Sequence, residues 1–385
     1  MSTYRDERQE DSFPSYASGD YTGLGALHPS EILWRDRYVY LKENGYLLRP
    51  RYKPDWKPSW LGREVAPFSF EDFVMCAEDI VLDATPTGQK YRVSIKVVPR
   101  TTQEITIARM LSSKDVNGNP NNHCVPVLDV LPDPLDPSNA LLVMPYLRPF
   151  NDPPFEVIEE VMDFIRQTLE GLSFIHSQGV AHRDCSTRNI MMDGRPLFPE
   201  DHHPVHTHLS PDVRHQARCL SRMEKPVKYY YIDFGMSTYF KEGESPYVLG
   251  AKGADLDAPE LSNEYPYNPY MLDIFILGHV YEAQILQASD NQQGFHKLTW
   301  FSQTYHGLSF LEPLITAMMH AQPERRPTAS AALRMFSDIR RNLNHTHLHW
   351  RLRGRSETGT ERVVYDTISA AKMGFSLVRK GLMGT

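Results

Sequence analysis

In AHRDCSTRNIMMD (residues 181–193) a histidine, an arginine and a carboxylate stand side by side, and an asparagine follows the carboxylate five positions on. About forty residues later YYYIDFGMS (229–237) ends an apolar run on an aspartate followed by Phe and Gly. The Asn189 amide oxygen and the Asp233 carboxylate are hard oxygen ligands. Magnesium takes few such ligands from a protein and completes its octahedron with nucleotide phosphates and water. If the two apolar stretches pair as strands, Asn189 and Asp233 can hold one ion. Asp184 then stands beside that ion without ligating it, where a carboxylate orients an attacking hydroxyl and accepts its proton. The competing reading is an ordinary polar turn between two strands.

Such an arrangement needs strands to hold the metal ligands and a body large enough to bury them. The chain has 385 residues, 41% hydrophobic and 23% charged, enough for one large two-lobed domain. A net charge of −7 argues against nucleic acid as a partner, which calls for a basic footprint. Cys76, Cys124, Cys185 and Cys219 are far apart and form no CxxC pair, as expected of free thiols in a reducing compartment. The first residues are polar and acidic rather than a signal peptide, and no apolar run is long enough to span a bilayer. These features point to the cytoplasm, with the nucleus left open, and to no stable membrane insertion.

Residues 1–30 lack periodicity and read as disordered. Residues 31–66, with Trp34, Trp56 and Trp60 among prolines and basic residues, read as an extension packed on the first lobe. Strands are expected at FSFEDFVMC (68–76), IVLDAT (80–85), YRVSIKVV (91–98), VPVLDVL (125–131) and ALLVMPYL (140–147), with a helix at 101–113. Apolar residues at spacings of three and four predict an amphipathic helix over 155–177. NIMMD (189–193) and KYYYIDF (228–234) read as a strand pair, and the chain beyond 258 as mostly helical. The fold class is α+β, a small antiparallel β lobe followed by a larger helical lobe.

At this point the sequence resembles the eukaryotic protein kinase superfamily, which serves as a general template for the HRDxxxxN, DFG and APE motifs. His182-Arg183-Asp184 through Asn189 resembles the catalytic loop, Asp233-Phe234-Gly235 the metal-binding turn, and Ala258-Pro259-Glu260 the end of the activation segment. VSIK resembles VAIK, which makes Lys96 the lysine on the α- and β-phosphates. Glu104, at the head of EITIARML, is then its helix partner. LLVMPYL resembles the strand into the hinge, with Met144 as gatekeeper, the Pro145 carbonyl toward adenine, and Leu147 supplying a backbone donor and acceptor. DIFILG resembles the buried central helix, and QPERRPTASAAL the segment whose arginine, here Arg326, pairs with Glu260. The resemblance covers residues 67–342. It implies an ATP- and magnesium-dependent transfer of a phosphoryl group to a protein hydroxyl.

The departures from that pattern are local. Gly88 is the only glycine between Gly62 and Lys96, so MCAEDIV presents Cys76, Ala77, Glu78 and Asp79 where kinases use a glycine-rich loop. That degeneracy supports an alternative function, a pseudokinase acting as a binding scaffold. Small-molecule kinases share the Asp-x-x-x-x-Asn loop but lack the APE segment and its arginine. Ser186 replaces the lysine usual in serine/threonine kinases, and Arg188 occupies the position of the arginine found in many tyrosine kinases, where it would offset charge on the transferring group. GADLDAPE fits neither acceptor class, and general abundance favours serine or threonine over tyrosine.

The insertion 194–228, with His202, His203, His206 and His208, is a candidate partner contact, with transition-metal binding and a solvated turn as the other readings. Arg183 could order the activation segment by pairing with a phosphate on Ser237, Thr238, Ser245 or Tyr247. The tail 343–385 carries HWRLRGR and SAAKMGFSLVRKG, both expected to dock on the body rather than on a membrane.

Overall fold

The computed structural model describes residues 25–76, 78–286, 305–354 and 357–383, with the backbone alone at Asn117, His306 and 372–383. The first lobe starts with helix α1 (Pro29–Glu43), closed at its N-terminus by a capping box between His28 and Glu31. The last residues of the stretch read as disordered are therefore helical. Strands β1 (Tyr46–Leu47), β2 (Val81–Pro86) and β3 (Val93–Pro99) lead to α2 (Glu104–Leu111) and the single turn α3 (Lys114–Asn117). Strands β4 (Asp129–Pro132) and β5 (Asn139–Pro145) complete an antiparallel sheet in the order β1-β2-β3-β5-β4.

Side chains alternate across this sheet as the pleat requires. Leu82, Ala84, Val93, Ile95, Leu141 and Val143 face α1 and pack on its Trp34, Tyr38 and Leu41. Ser94, Lys96 and Val98 therefore face the second lobe. A buried ion pair of Arg37 with Asp133 (2.6 Å) fastens the extension to the lobe, and a second, Arg51 with Glu31 (2.6 Å), braces it internally.

FSFEDFVMC is not a strand. It forms two short 3-10 turns, Pro67–Ser69 and Glu71–Phe73. Pro67 has no N–H to give a ladder. Asp72 is instead caged by Trp56 Nε1 (3.0 Å), Ser59 N (2.9 Å) and Ser59 Oγ (2.5 Å), which bends the segment back onto the extension.

The second lobe comprises β6 (Arg148–Pro149), α4 (Ile158–Ser177), β7 (Val180–Ala181), β8 (Ile190–Met192), β9 (Tyr229–Tyr231), β10 (Thr238–Tyr239) and α5 (Pro269–Tyr281). It ends with β11 (Tyr305–His306), α6 (Glu312–Met318), α7 (Ala329–Arg341), α8 (His345–Leu348), β12 (Arg353–Gly354) and α9 (Gly359–Met383). Helix α4 buries Val161, Ile165, Leu169, Leu172 and Ile175, the stripe its periodicity predicts. It starts three residues later than expected because 156–158 pair instead with the tail. Leu352 N donates to Glu156 O (2.8 Å), and Ile158 N donates to Trp350 O (3.1 Å). HWRLRGR thus docks on the body. Among the described side chains of α9, Asp366 pairs with Arg351 and Arg353, while Val363, Val364, Tyr365 and Ile368 are exposed.

Strands β8 and β9 pair antiparallel with Ile190 opposite Tyr231, the arrangement expected of the two motif-bearing stretches. Arg326, at the start of the segment leading into α7, grips Glu260 through both guanidinium ends (2.5 and 2.8 Å).

Candidate active site

Each site residue sits at the end of an element that holds its backbone. Lys96 projects from mid-β3 and Glu104 is the first residue of α2. Asn189 closes a 3-10 turn just before β8, and Asp233 follows β9 with a left-handed backbone (φ 61°). Lys96 Nζ lies 2.7 Å from Glu104 Oε1 and 2.8 Å from Asp233 Oδ1, so one ammonium ties sheet, helix and turn together. The short link from Lys96 to Glu104 is bridged by a tight turn into α2, and the pair forms. Burial works against the Lys96 charge, but Glu104 and Asp233 outweigh it and hold the ammonium above its ordinary range. For Asp233, burial is likewise outweighed by Lys96 and the Gly235 amide, and its carboxyl is held low. Phe234 is buried against the His182 ring (5.1 Å between centroids).

The catalytic-loop backbone hangs on one buried carboxylate. Asp273 of α5 accepts from His182 N (2.8 Å) and Arg183 N (2.6 Å), which stabilises Arg183 at a φ of 66°. His182, its pKa lowered by burial, donates from Nε2 to Ile232 O (3.0 Å) and so links this loop to β9. Asn189 Nδ2 donates to Asp184 Oδ2 and to Asp184 O, both at 2.8 Å. The other oxygen, Oδ1, accepts from Ala254 N (2.9 Å), a contact that no motif signals. Gly253 permits that approach. Its φ is 120°, and a side chain there would meet Arg183 O at 3.3 Å. A carboxylate oxygen has two acceptor positions, so Asp184 can still receive a hydroxyl proton.

The donor set suits magnesium. Asn189 spends its amide nitrogen on Asp184, so its oxygen would be the ligand atom, and Asp233 would supply a carboxylate. Met144 and Leu147 are buried at the hinge and Pro145 ends β5. Arg188 is exposed. It lines a cavity of about 620 Å³ together with Ser186, Ala254, Asp255, Asp257 and His279.

The roof of the cleft is unusual in chemistry. Asp83, Ser94 and Met144 lie opposite one another across β2, β3 and β5, on the face that carries Lys96. Asp83 is buried and paired with Arg49 of the extension (3.2 Å). Arg49 also reaches Val74 O (3.0 Å) and Glu71 (3.5 Å). The 48–80 segment thus stands in place of a glycine-rich loop, and Glu78 and Asp79 point to solvent. Ala77 lies outside the described residues.

The insertion 194–228 is a strap across both lobes. Asp201 pairs with Arg92, Tyr146 Oη donates to Pro204 O (2.8 Å), and His203 faces Glu71 at 3.6 Å on the first-lobe side. On the other side Arg148 donates to Thr207 O (2.8 Å) and Arg222 to Pro154 O (2.9 Å). The histidines divide: His202 and His203 are buried, whereas His206 and His208 are exposed. The four do not converge as a ligand set. Among the described residues the group that does is Asp255, Asp257 and His279.

Burial and then Arg148 push His202 down to about 4 from an ordinary 6.5. A histidine that stays neutral when folded takes up its proton only on opening, so the strap loses stability as pH falls from about 6.5 toward 4. Amide exchange in 201–210 should accelerate over that window relative to α4. The acceleration should be absent in His202→Gln.

The sequence model of the Protein kinase domain family matches residues 100–336, well over half of the chain. The chain belongs to the protein kinase family. The match begins just after β3, so Lys96 and the Asp83 roof lie outside it. The kinase is 25% identical over 205 residues to a probable casein kinase II subunit alpha homolog of Encephalitozoon cuniculi, covering 53% of this chain and 50% of the relative. It is 26% identical over 204 residues to the serine/threonine-protein kinase CHK1 of Mycosarcoma maydis, covering 49% and 25%. Sperm motility kinase 2B of Mus musculus is 25% identical over 184 residues, covering 46% and 31%. The aligned part of this kinase spans half or less of each of these relatives. Among the described residues no helix is long and apolar enough to cross a membrane.

Proposed function

We propose that this kinase transfers the γ-phosphoryl group of ATP, with magnesium, to a serine or threonine hydroxyl of a protein. The observation that carries the reading is Lys96 bridging Glu104 (2.7 Å) and Asp233 (2.8 Å) while Phe234 is buried. A preorganised cation of this kind needs no rearrangement to receive phosphate charge. Magnesium held by Asn189 and Asp233 would neutralise phosphate charge. Asp184, oriented by Asn189 and Ala254, positions the acceptor hydroxyl and takes its proton, and exposed Arg188 stands beside it as a charge stabiliser. The Glu260–Arg326 pair, which braces the activation segment, supports a protein acceptor over a small molecule. The serine/threonine preference rests on a relative's name and on general abundance.

A second reading, a scaffold without efficient transfer, is favoured by the Arg49–Asp83 pair in the cleft roof. Incorporation of labelled γ-phosphate into the protein and a generic acceptor mixture, under magnesium or manganese, separates the two. Label in the wild type that is lost in Asp233→Asn supports transfer, and mapping it identifies the acceptor. No label from folded protein under either metal, with or without ATP-induced thermal stabilisation, leaves the scaffold.

A further inference from the structure

Helix α9 is tied to the body through Asp366, which binds Arg351 Nε (2.6 Å) and Arg353 (2.9 Å). Around this anchor Val363 and Val364 are 66% and 54% exposed, and Ile368 is 47% exposed. From Thr367 onward the sequence carries no acidic residue, whereas Lys372, Arg379 and Lys380 all fall in the helical stretch. At 3.6 residues per turn these three share an arc of roughly 100° with Ser369 and Ser376. The rest of the helix circumference, well over half, is apolar or small, with Met373, Phe375, Leu377, Val378 and Leu382 placed on it.

Two kinds of surface could cover such a helix. Val364, Ile368, Ala371, Phe375, Val378 and Leu382 follow one another at spacings of four and three, the seam of a two-helix coil. A seam of that kind is narrow, and its neighbouring positions carry charges of both signs. Here Met373 and Leu377 lie well outside the seam, its flanks hold Lys372 and Arg379, and the acidic residues of α9, Glu361 and Asp366, do not fall on those flanks. A broad apolar arc backed by cations alone matches a plane that is apolar inside and negative at its surface.

We propose that α9 is a membrane-surface helix that lies in the interface of anionic lipids and holds the kinase there. Charge and apolar area act together: each cation near an anionic leaflet and each buried apolar side chain adds to partitioning. The helix lies on the bilayer and does not span it.

The test is co-sedimentation of the full chain with vesicles of phosphatidylcholine containing about a third phosphatidylserine, against pure phosphatidylcholine vesicles. The wild type should pellet with the anionic vesicles and be released by salt. Lys372→Gln/Arg379→Gln/Lys380→Gln should lower partitioning by roughly a hundredfold. Phe375→Ser should lower it as well. Neither variant should move the thermal unfolding of the body. Equal binding to both vesicle types would overturn the role of the cations. No binding by a folded chain would overturn the proposal, and a dimer lost in Ile368→Asp would reassign α9 to self-association.

Discussion

Asp184→Asn should lower phosphoryl transfer by about 10²–10⁴-fold, the range expected for loss of a positioned general base. The loss should fall on turnover, with nucleotide affinity nearly unchanged, because Lys96, Glu104 and Asp233 are untouched. The substitution keeps the shape of the side chain but changes what it offers. Asp184 receives two N–H donors, from Asn189 Nδ2 (2.8 Å) and Ala254 N (2.9 Å), one on each oxygen. An asparagine meets one donor with its own NH₂ and loses that hydrogen bond, at a cost of about 1 kcal/mol. Single-turnover transfer beside a denaturant melt checks both parts. Transfer equal to wild type in a folded variant would remove Asp184 from the chemistry.

The second large effect is on stability. Arg326→Met should destabilise the kinase by roughly 3–5 kcal/mol, because it strands one member of a buried ion pair. The Arg326 side chain is fully buried, its Glu260 partner is nearly so, and both guanidinium ends are used. The same arginine donates to His320 O (2.8 Å) and Met271 O (2.9 Å), so two carbonyls also lose a donor. Glu260→Gln in the Arg326→Met background should recover part of the loss by removing the uncompensated charge. A double-mutant cycle from urea unfolding measures this coupling. A cost below about 1 kcal/mol would mean that water replaces the arginine, as at a surface pair.

Much of the candidate site was legible because the kinase motifs are local. Asp184 and Asn189 sit in one loop, Asp233 ends a strand, and Lys96 and Glu104 are separated by one turn. Their residue types announce oxygen ligands, a base and a charge pair before any fold is known. The strand expected at 68–76 failed for a reason outside its own residues. Asp72 is satisfied by Trp56 and Ser59, which propensity within the window does not register. The docking expected of the SAAKMGFSLVRKG segment falls mostly on 372–381, whose side chains lie outside the described residues.

Residue types and their spacing identify which groups can do chemistry and the order in which the lobes carry them. Spacing along a chain specifies helix faces, strand faces and short loops. What surrounds those groups follows from the folded arrangement. Arg49 meets Asp83 over the cleft, Ala254 lies on Asp184, and the 194–228 strap ties Arg92 and Tyr146 to the second lobe. Each is a contact between residues distant in the chain. Such contacts are set by which faces the core leaves opposed once it has packed, information that no window of sequence contains.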